Sequence, residues 1–587
     1  MNGPRSSSVT AVSSRVRLLE WIFVILLSVG VLACASLPWI WGERAQSLGY
    51  NPESVFTGSL STYADDATTY WTWMRQARDG RFFMTDLYTP DAHPRNYVNL
   101  FFWTLGKVAA VTGQDLVTVY HLSRVALGAL LLGLLYLLSA KMFVRPGERM
   151  ACFFMLVMTG GWGGAAGYME RNFSWSHVSS PAWWTPEMST FFSLMLFPHF
   201  LAGFVAMLAA VLLLLRPWTD ENLPVSSLRL RSAAAGGVMF LLTFFHPYDV
   251  ITVMGIVWSA PLLLGLVDRR LPWRELQASA VATAVWLPAF FYNLYIFNSN
   301  PAMRAWDLQN IMITPEPARL IIALGPAGLL SLVAILALPR LAPRHRVMVA
   351  WLISTLVIIH LPLRFQRRMI GGIQFATGVL AVAALVCVIM PLARRLGRRR
   401  TAGIFGVGVA VAVLLLAPLQ MATPYYLEDI ERGRLNMVAY PGWLLREEYE
   451  ALHRLEELQP AESVILSSYE MGNWIPPYSG HRCVIGHYAL TVDAEGKKAA
   501  AGRFFAGGEM EPPGSDDLWR QDFLRRWSVR YIFHSRYERK LGSFDPASRP
   551  WLEHIYGVGE DPGRRVDVYA VRLEEIPAAS ASRMPSP

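Results

Sequence analysis

Two adjacent carboxylates, Asp65 and Asp66, stand in the first long polar stretch, GYNPESVFTGSLSTYADDATTYWTWMRQARDG, just beyond an apolar run at 18–41. One acid of such a pair can take a proton from an attacking hydroxyl, because its neighbour and partial burial raise its proton affinity. The flanking Tyr63, Tyr70, Trp71 and Trp73 fit a partly buried setting, although a wet loop also carries acids for solvation alone. Asp66 has the better position, four residues before Tyr70 and therefore on its face if the segment is helical. Asp91 and His93 follow in the same stretch, before the chain turns apolar at PRNYVNL.

Three arginines, Arg364, Arg367 and Arg368, crowd the short segment LRFQRR. Their forked donors suit a phosphate, and Arg304 in NSNPAMRAWDLQN offers a second position of the same kind. A lipid headgroup contact is the other reading of such a cluster. Glu187, in WWTPE after Trp183 and Trp184, places a second acid at the entrance of an apolar run; His199 stands within that run behind Pro198. His246 and Asp249 share the motif HPYD between two further runs. An ionisable side chain inside a span is costly unless paired, so these residues are read either as substrate-binding groups or as helix-to-helix hydrogen-bond pairs. A divalent metal is compatible with these residue types, but no spacing demands one. Cys34, Cys152, Cys387 and Cys483 form neither a CxxC nor a Cys/His metal spacing.

These groups must be positioned by a membrane protein. With 53% hydrophobic residues in 587, including 21 Trp and 29 Phe, the chain has too many long apolar runs for a soluble globule. The first run is too long for a cleaved signal peptide and leads into no small-residue cleavage site. Spans are expected near 18–41, 116–140, 150–168, 190–215, 232–246, 248–267, 275–297, 318–339, 347–362, 369–392 and 402–421, about eleven in all. The run 97–112, short and carrying Lys107, reads as an interfacial or re-entrant helix, and HPYD as either a tight turn or a helix break.

The net charge of +9 does not point to nucleic acid, because the arginines lie in short stretches between the runs. With the N-terminus inside, about twenty basic residues fall on cytoplasmic segments against about five on short outer ones. The first loop, 42–115, and everything beyond 422 are then extracytoplasmic. The expected organisation is an all-α polytopic bundle over 1–421, a soluble α/β or α+β domain over 422–575 with short β-branched runs, and a disordered tail, 576–587.

An acid pair after the first span, loop helices returning to the membrane and an outer C-terminal domain together resemble the GT-C superfamily of integral-membrane glycosyltransferases. DDATTYWTWMRQARDGRFF, HPRNYVNLFFWTLG, PEMSTFFSLMLFPHF, HPYD, NPAMRAWDLQN, RFQRR and SSYEMGNWIPPYSGHRCVIGHY carry the likeness. The resemblance implies a polyprenyl-phosphate-linked sugar donor and a glycan, lipid or protein acceptor. It implies Asp66 or Asp65 as base, Glu187 or Asp91 as second acid, and the arginines as phosphate binders. Base and donor phosphate are expected to share one cavity. No WWDYG-like motif of the oligosaccharyltransferases occurs. Two other classes remain open: a transporter or flippase, which would favour repeats that the halves do not show, and a non-catalytic assembly protein that kept the fold.

Overall fold

Apolar runs without internal polar partners satisfy their backbone only as helices, and most of the chain does so. The computed structural model describes residues 14–60, 64–158, 162, 185–395, 441–507 and 515–572. Among these, 7 helices are long and apolar enough to cross a membrane: Ser14–Ser47, Leu116–Met142, Pro198–Thr219, Pro247–Asp268, Trp273–Ser299, Pro317–Leu336 and the composite Gln366–Leu392. The spans expected at 232–246 and 347–362 fall on Val225–Thr243 and Pro343–Ile358, which carry arginines in their first two turns, and of the one at 150–168 the helix described is Pro146–Met158. The span at 402–421, the 421/422 boundary, the tail 576–587, Tyr63, Trp183 and Trp184 lie outside the described residues.

Prolines shape these helices. Pro198 forces Phe197 into an extended conformation (φ −127°, ψ 123°), so the expected single span at 190–215 is two helices, Thr190–Leu196 and Pro198–Thr219. His199 therefore lies in a first helical turn. HPYD resolves as a turn: Val225–Thr243 ends, and Pro247 opens the next helix with Asp249 in its first turn.

The chain divides into two compact units. One comprises Met1–Leu37, His121–Phe290 and Met312–Leu427, and holds most of the apolar helices. The other comprises Pro38–Tyr120, Phe291–Ile311 and Glu428–Pro587, so the first loop and the C-terminal region form one body.

In the second unit, β1 (Ser54–Phe56) of the first loop pairs antiparallel with β2 (Trp443–Leu445). The main sheet contains β3 (Val464–Leu466), β4 (Arg482–Cys483), β5 (Val529–His534), β6 (Leu552–Val558) and β7 (Val566–Val571) in the order β4-β3-β5-β7-β6. Its β4-β3-β5 half is parallel and its β5-β7-β6 half antiparallel. Leu466, Ile485, Phe504, Phe505, Leu524 and Ile532 are among the core side chains. A second apolar cluster joins Tyr88, Ile296, Met303, Cys483 and Leu490, drawing on all three segments of the unit.

The loop helix Ala64–Arg78 carries Asp65 and Asp66 in its first turn and Arg75 and Arg78 in its last, a charge order that complements the helix dipole. The run at 97–112 becomes the helix Leu100–Thr112, capped by Asn99 and by Gly113 in the left-handed region. A Cβ at Gly106 would meet Met74 O at 2.2 Å, so this glycine lets the two helices touch.

Candidate active site

The acid pair is held by residues some four hundred positions away in sequence. Ser468 follows β3 and caps the helix Tyr469–Ser479, so Tyr469 emerges in that helix's first turn. Its phenol donates to Asp65 Oδ2 at 2.6 Å. Burial, together with the Asp65 charge, pushes the phenol pKa well up, so it stays a proton donor.

His487 approaches the other acid, with Nε2 3.3 Å from Asp66 Oδ1. Its Nδ1 accepts the N–H groups of Ala489 and Leu490, at 3.2 and 3.3 Å. The ring proton is thereby left on Nε2, which donates to Asp66. Each carboxylate thus receives one oriented donor from the C-terminal region.

Asp86, in the same loop, is 4% exposed. Its Oδ1 accepts Tyr88 N–H at 2.8 Å, while Oδ2 is buried without a hydrogen-bond partner among the described residues. Burial pushes this carboxyl up to about 7, against the opposing pull of His487, Arg482 and Lys497. The sequence placed Asp86 in the loop without distinguishing it from its neighbours.

His93 has both ring nitrogens engaged. Nδ1 donates to Asp91 O at 2.8 Å, and Nε2 accepts from Thr85 Oγ1 and Asp86 N at 2.8 and 3.1 Å. Burial holds its pKa below the usual value. Asp91 pairs with the buried Lys497. Burial raises the Asp91 carboxyl, but the hydrogen bonds from Lys497 and Thr89 and the lysine charge bring it below its ordinary range. Tyr70 is buried and stacked on Phe102, with ring centroids 4.6 Å apart and planes 8° from parallel. Arg304 is exposed on the helix Pro301–Gln309.

The other unit gathers a second group. Glu187 is buried, with Oε1 3.8 Å from Arg368 Nη1. The Arg368 guanidinium lies 5.7 Å from the centre of the Tyr248 ring. His246 Nδ1 is 2.8 Å from Asp249 Oδ2, and the His199 ring centre is 5.6 Å from that of His246. A Cβ at Gly203 or Gly371 would come within 2.4 or 2.9 Å of the Asp249 carboxylate, so both positions leave it room by lacking a side chain. Arg367 and Arg364 are tied through backbone to Met312, with Arg367 N donating to Met312 O at 3.0 Å and Met312 N to Arg364 O at 2.7 Å. Glu187, Arg368, His199, His246 and Asp249 are therefore brought together in one unit, and Asp65, Asp66, Asp91 and His93 in the other.

Among the described residues, no three His, Cys, Asp or Glu side chains form a group that could hold a metal ion, and no step below is routed through one. Tyr469, His487 and Lys497 were missed from sequence. The segment SSYEMGNWIPPYSGHRCVIGHY was distinctive, but nothing local in it names the acids it meets.

No family model matches the chain, and no curated protein matches it in sequence. Solved structures do. The archaeal oligosaccharyltransferase AglB from Archaeoglobus fulgidus, in complex with an inhibitory peptide and a dolichol-phosphate, is similar with a TM-score of 0.53 and 12% identity, over 96% of this chain and 76% of that one. ArnT from Cupriavidus metallidurans bound to undecaprenyl phosphate gives a TM-score of 0.50 and 14% identity, over 93% and 97%. ArnT from the same organism in the apo state gives 0.50 and 14%, over 96% and 100%. The chain shares the fold of these structures, a polytopic helical bundle with a sheet-containing C-terminal domain.

Proposed function

We propose that this GT-C-fold chain is a membrane glycosyltransferase moving a sugar from a polyprenyl-phosphate-linked donor to a hydroxyl acceptor at the outer face of the cytoplasmic membrane. The observation that carries this reading is the carboxylate pair in the first turn of the loop helix, each acid held by its own donor. Similar structures bound to dolichol-phosphate and undecaprenyl phosphate support the class of donor.

Asp66 acts as the general base. It takes the proton of the acceptor hydroxyl as that oxygen bonds to the anomeric carbon, and the bond from that carbon to the donor phosphate oxygen breaks. Polyprenyl phosphate leaves with the electron pair, and a single displacement inverts the anomeric configuration. His487, donating to Asp66, orients the carboxylate, while Tyr469 does the same for Asp65. Arg364, Arg367 and Arg368 are assigned the donor phosphate, for which forked donors are well shaped. Glu187 sets the orientation of Arg368.

The test uses the full chain in vesicles loaded with undecaprenyl phosphate bearing a radiolabelled sugar, following label that leaves the lipid. Asp66→Asn keeps the side chain's size but removes the proton acceptor, so transfer should fall by about 10²–10⁴-fold with lipid binding retained. Arg367→Ala with Arg368→Ala should instead raise the KM for the lipid donor before it lowers kcat. Full transfer activity in the Asp65→Asn/Asp66→Asn double variant would overturn the acid-pair mechanism.

A further inference from the structure

The loop helix offers Asp65 and Asp66 at its first turn, yet a separate cavity of about 370 Å³ opens along another face of it, at Trp71, Arg75 and Arg78. That volume is in the range of small-ligand pockets. The wall facing this helix is aromatic: Tyr449 and Tyr478 have ring centroids 5.5 Å apart, and His453 lies 4.6 and 5.0 Å from them. Among the described residues, neither phenol has a hydrogen-bond partner, and the buried Trp71 Nε1 has none either. Burial, and after it the nearby Asp115 charge, pushes the Tyr449 phenol up and keeps it a donor.

The charges on the wall are unevenly committed. Arg75 is spent on the carbonyls of Pro477 and Tyr478 and on Glu456, and Arg78 pairs with Asp79. Asp115 Oδ1 caps Thr118 N–H at 2.8 Å, and neither Asp115 nor Glu43 has an ion-pair partner among the described residues. Flat aromatic faces suit the C–H face of a pyranose, and its hydroxyls suit the phenols and the carboxylate oxygens left over from the Asp115 cap and the Trp39–Glu43 hydrogen bond. Two acids without a counter-charge repel a phosphate or a uronate and accept a neutral or ammonium-bearing sugar.

We propose that this cavity is a saccharide-binding site for a neutral or amine-bearing hexose unit, distinct from the acid pair. It rests on the glycosyltransferase reading only for what the sugar belongs to, which is the acceptor glycan. The binding itself can be tested without transfer. Saturation-transfer NMR on the full chain in detergent, with glucosamine, glucose and glucuronate as probes, should show saturable contact for the first two and none for glucuronate. Tyr449→Phe/Tyr478→Phe removes two oxygens and leaves the rings, and Asp115→Asn keeps the helix cap. Each should weaken glucosamine binding about tenfold or more, while Asp66→Asn should leave it unchanged. Absence of saturable binding, equal binding of glucuronate, or unaltered binding in both cavity variants would overturn the proposal. Binding without any transfer would fail the glycosyltransferase reading alone, and transfer without binding would fail the cavity alone.

Discussion

Asp86 is a carboxyl whose ionisation the fold resists. Its carboxyl stands at about 7 in the folded chain against an ordinary 3.8, so the folded state holds the proton more tightly than the unfolded one. The stability this contributes is complete below about pH 4 and is lost as pH rises through about 7. Asp86→Asn removes the titration. Thermal unfolding of the full chain in detergent should therefore show the variant gaining on the natural chain between pH 4 and 8, by about 4 kcal/mol at most. A variant that loses ground over that range would show that Asp86 is ionised and paired when folded. Sequence reading reached the acid pair because adjacent carboxylates among aromatics are a local signal. It could not rank Asp86 above its neighbours, since burial is decided by packing around Tyr88 and Cys483, from segments far apart in the chain. Tyr469 and His487 escaped for the same reason, standing 404 and 421 residues from the acids they meet.

Elements were more legible than contacts. Apolar runs marked where the long helices lie, but the break that Pro198 makes inside the expected 190–215 span went unread, although a proline's missing donor and its clash with the preceding turn are local physics. The run 97–112, read as an interfacial or re-entrant helix, is the short capped helix Leu100–Thr112, whose docking hangs on one atom that is absent. A Cβ at Gly106 would lie 2.2 Å from Met74 O and 2.6 Å from the Ala77 Cβ, both on the loop helix. Gly106→Ala should therefore destabilise the full chain by about 1–3 kcal/mol through forced separation of the helices, despite the roughly 1 kcal/mol by which alanine is the better helix former. Gly133, with nothing within 4 Å of its would-be Cβ, is the control, and Gly133→Ala should be neutral or slightly stabilising. The displaced helix carries Asp66 in its first turn, so Gly106→Ala should also lower transfer more than its loss of stability accounts for. Equal melting temperatures for the two alanine variants would show that the helices can part without cost.

At the scale of the whole molecule, the make-up of the second unit constrains how the chain crosses the membrane. The first loop, Phe291–Ile311 and the C-terminal region belong to one compact body, so all three must emerge on the same face. The expected spans from 116–140 through 275–297 are even in number, as that requires, and so are those from 318–339 through 402–421. The balance of about twenty basic residues against about five predicts which face it is, with the N-terminus inside and the C-terminal domain outside. Two exposed positions make this measurable: Glu560, between β6 and β7, and Arg229, near the start of Val225–Thr243. In a chain with its four free cysteines replaced, a cysteine at 560 should react with a membrane-impermeant maleimide on intact cells. A cysteine at 229 should react only after the membrane is opened. The reverse pattern would place the acid pair on the cytoplasmic side, where a donor presented on the outer leaflet could not reach it, and the proposed reaction would have to be abandoned along with the topology.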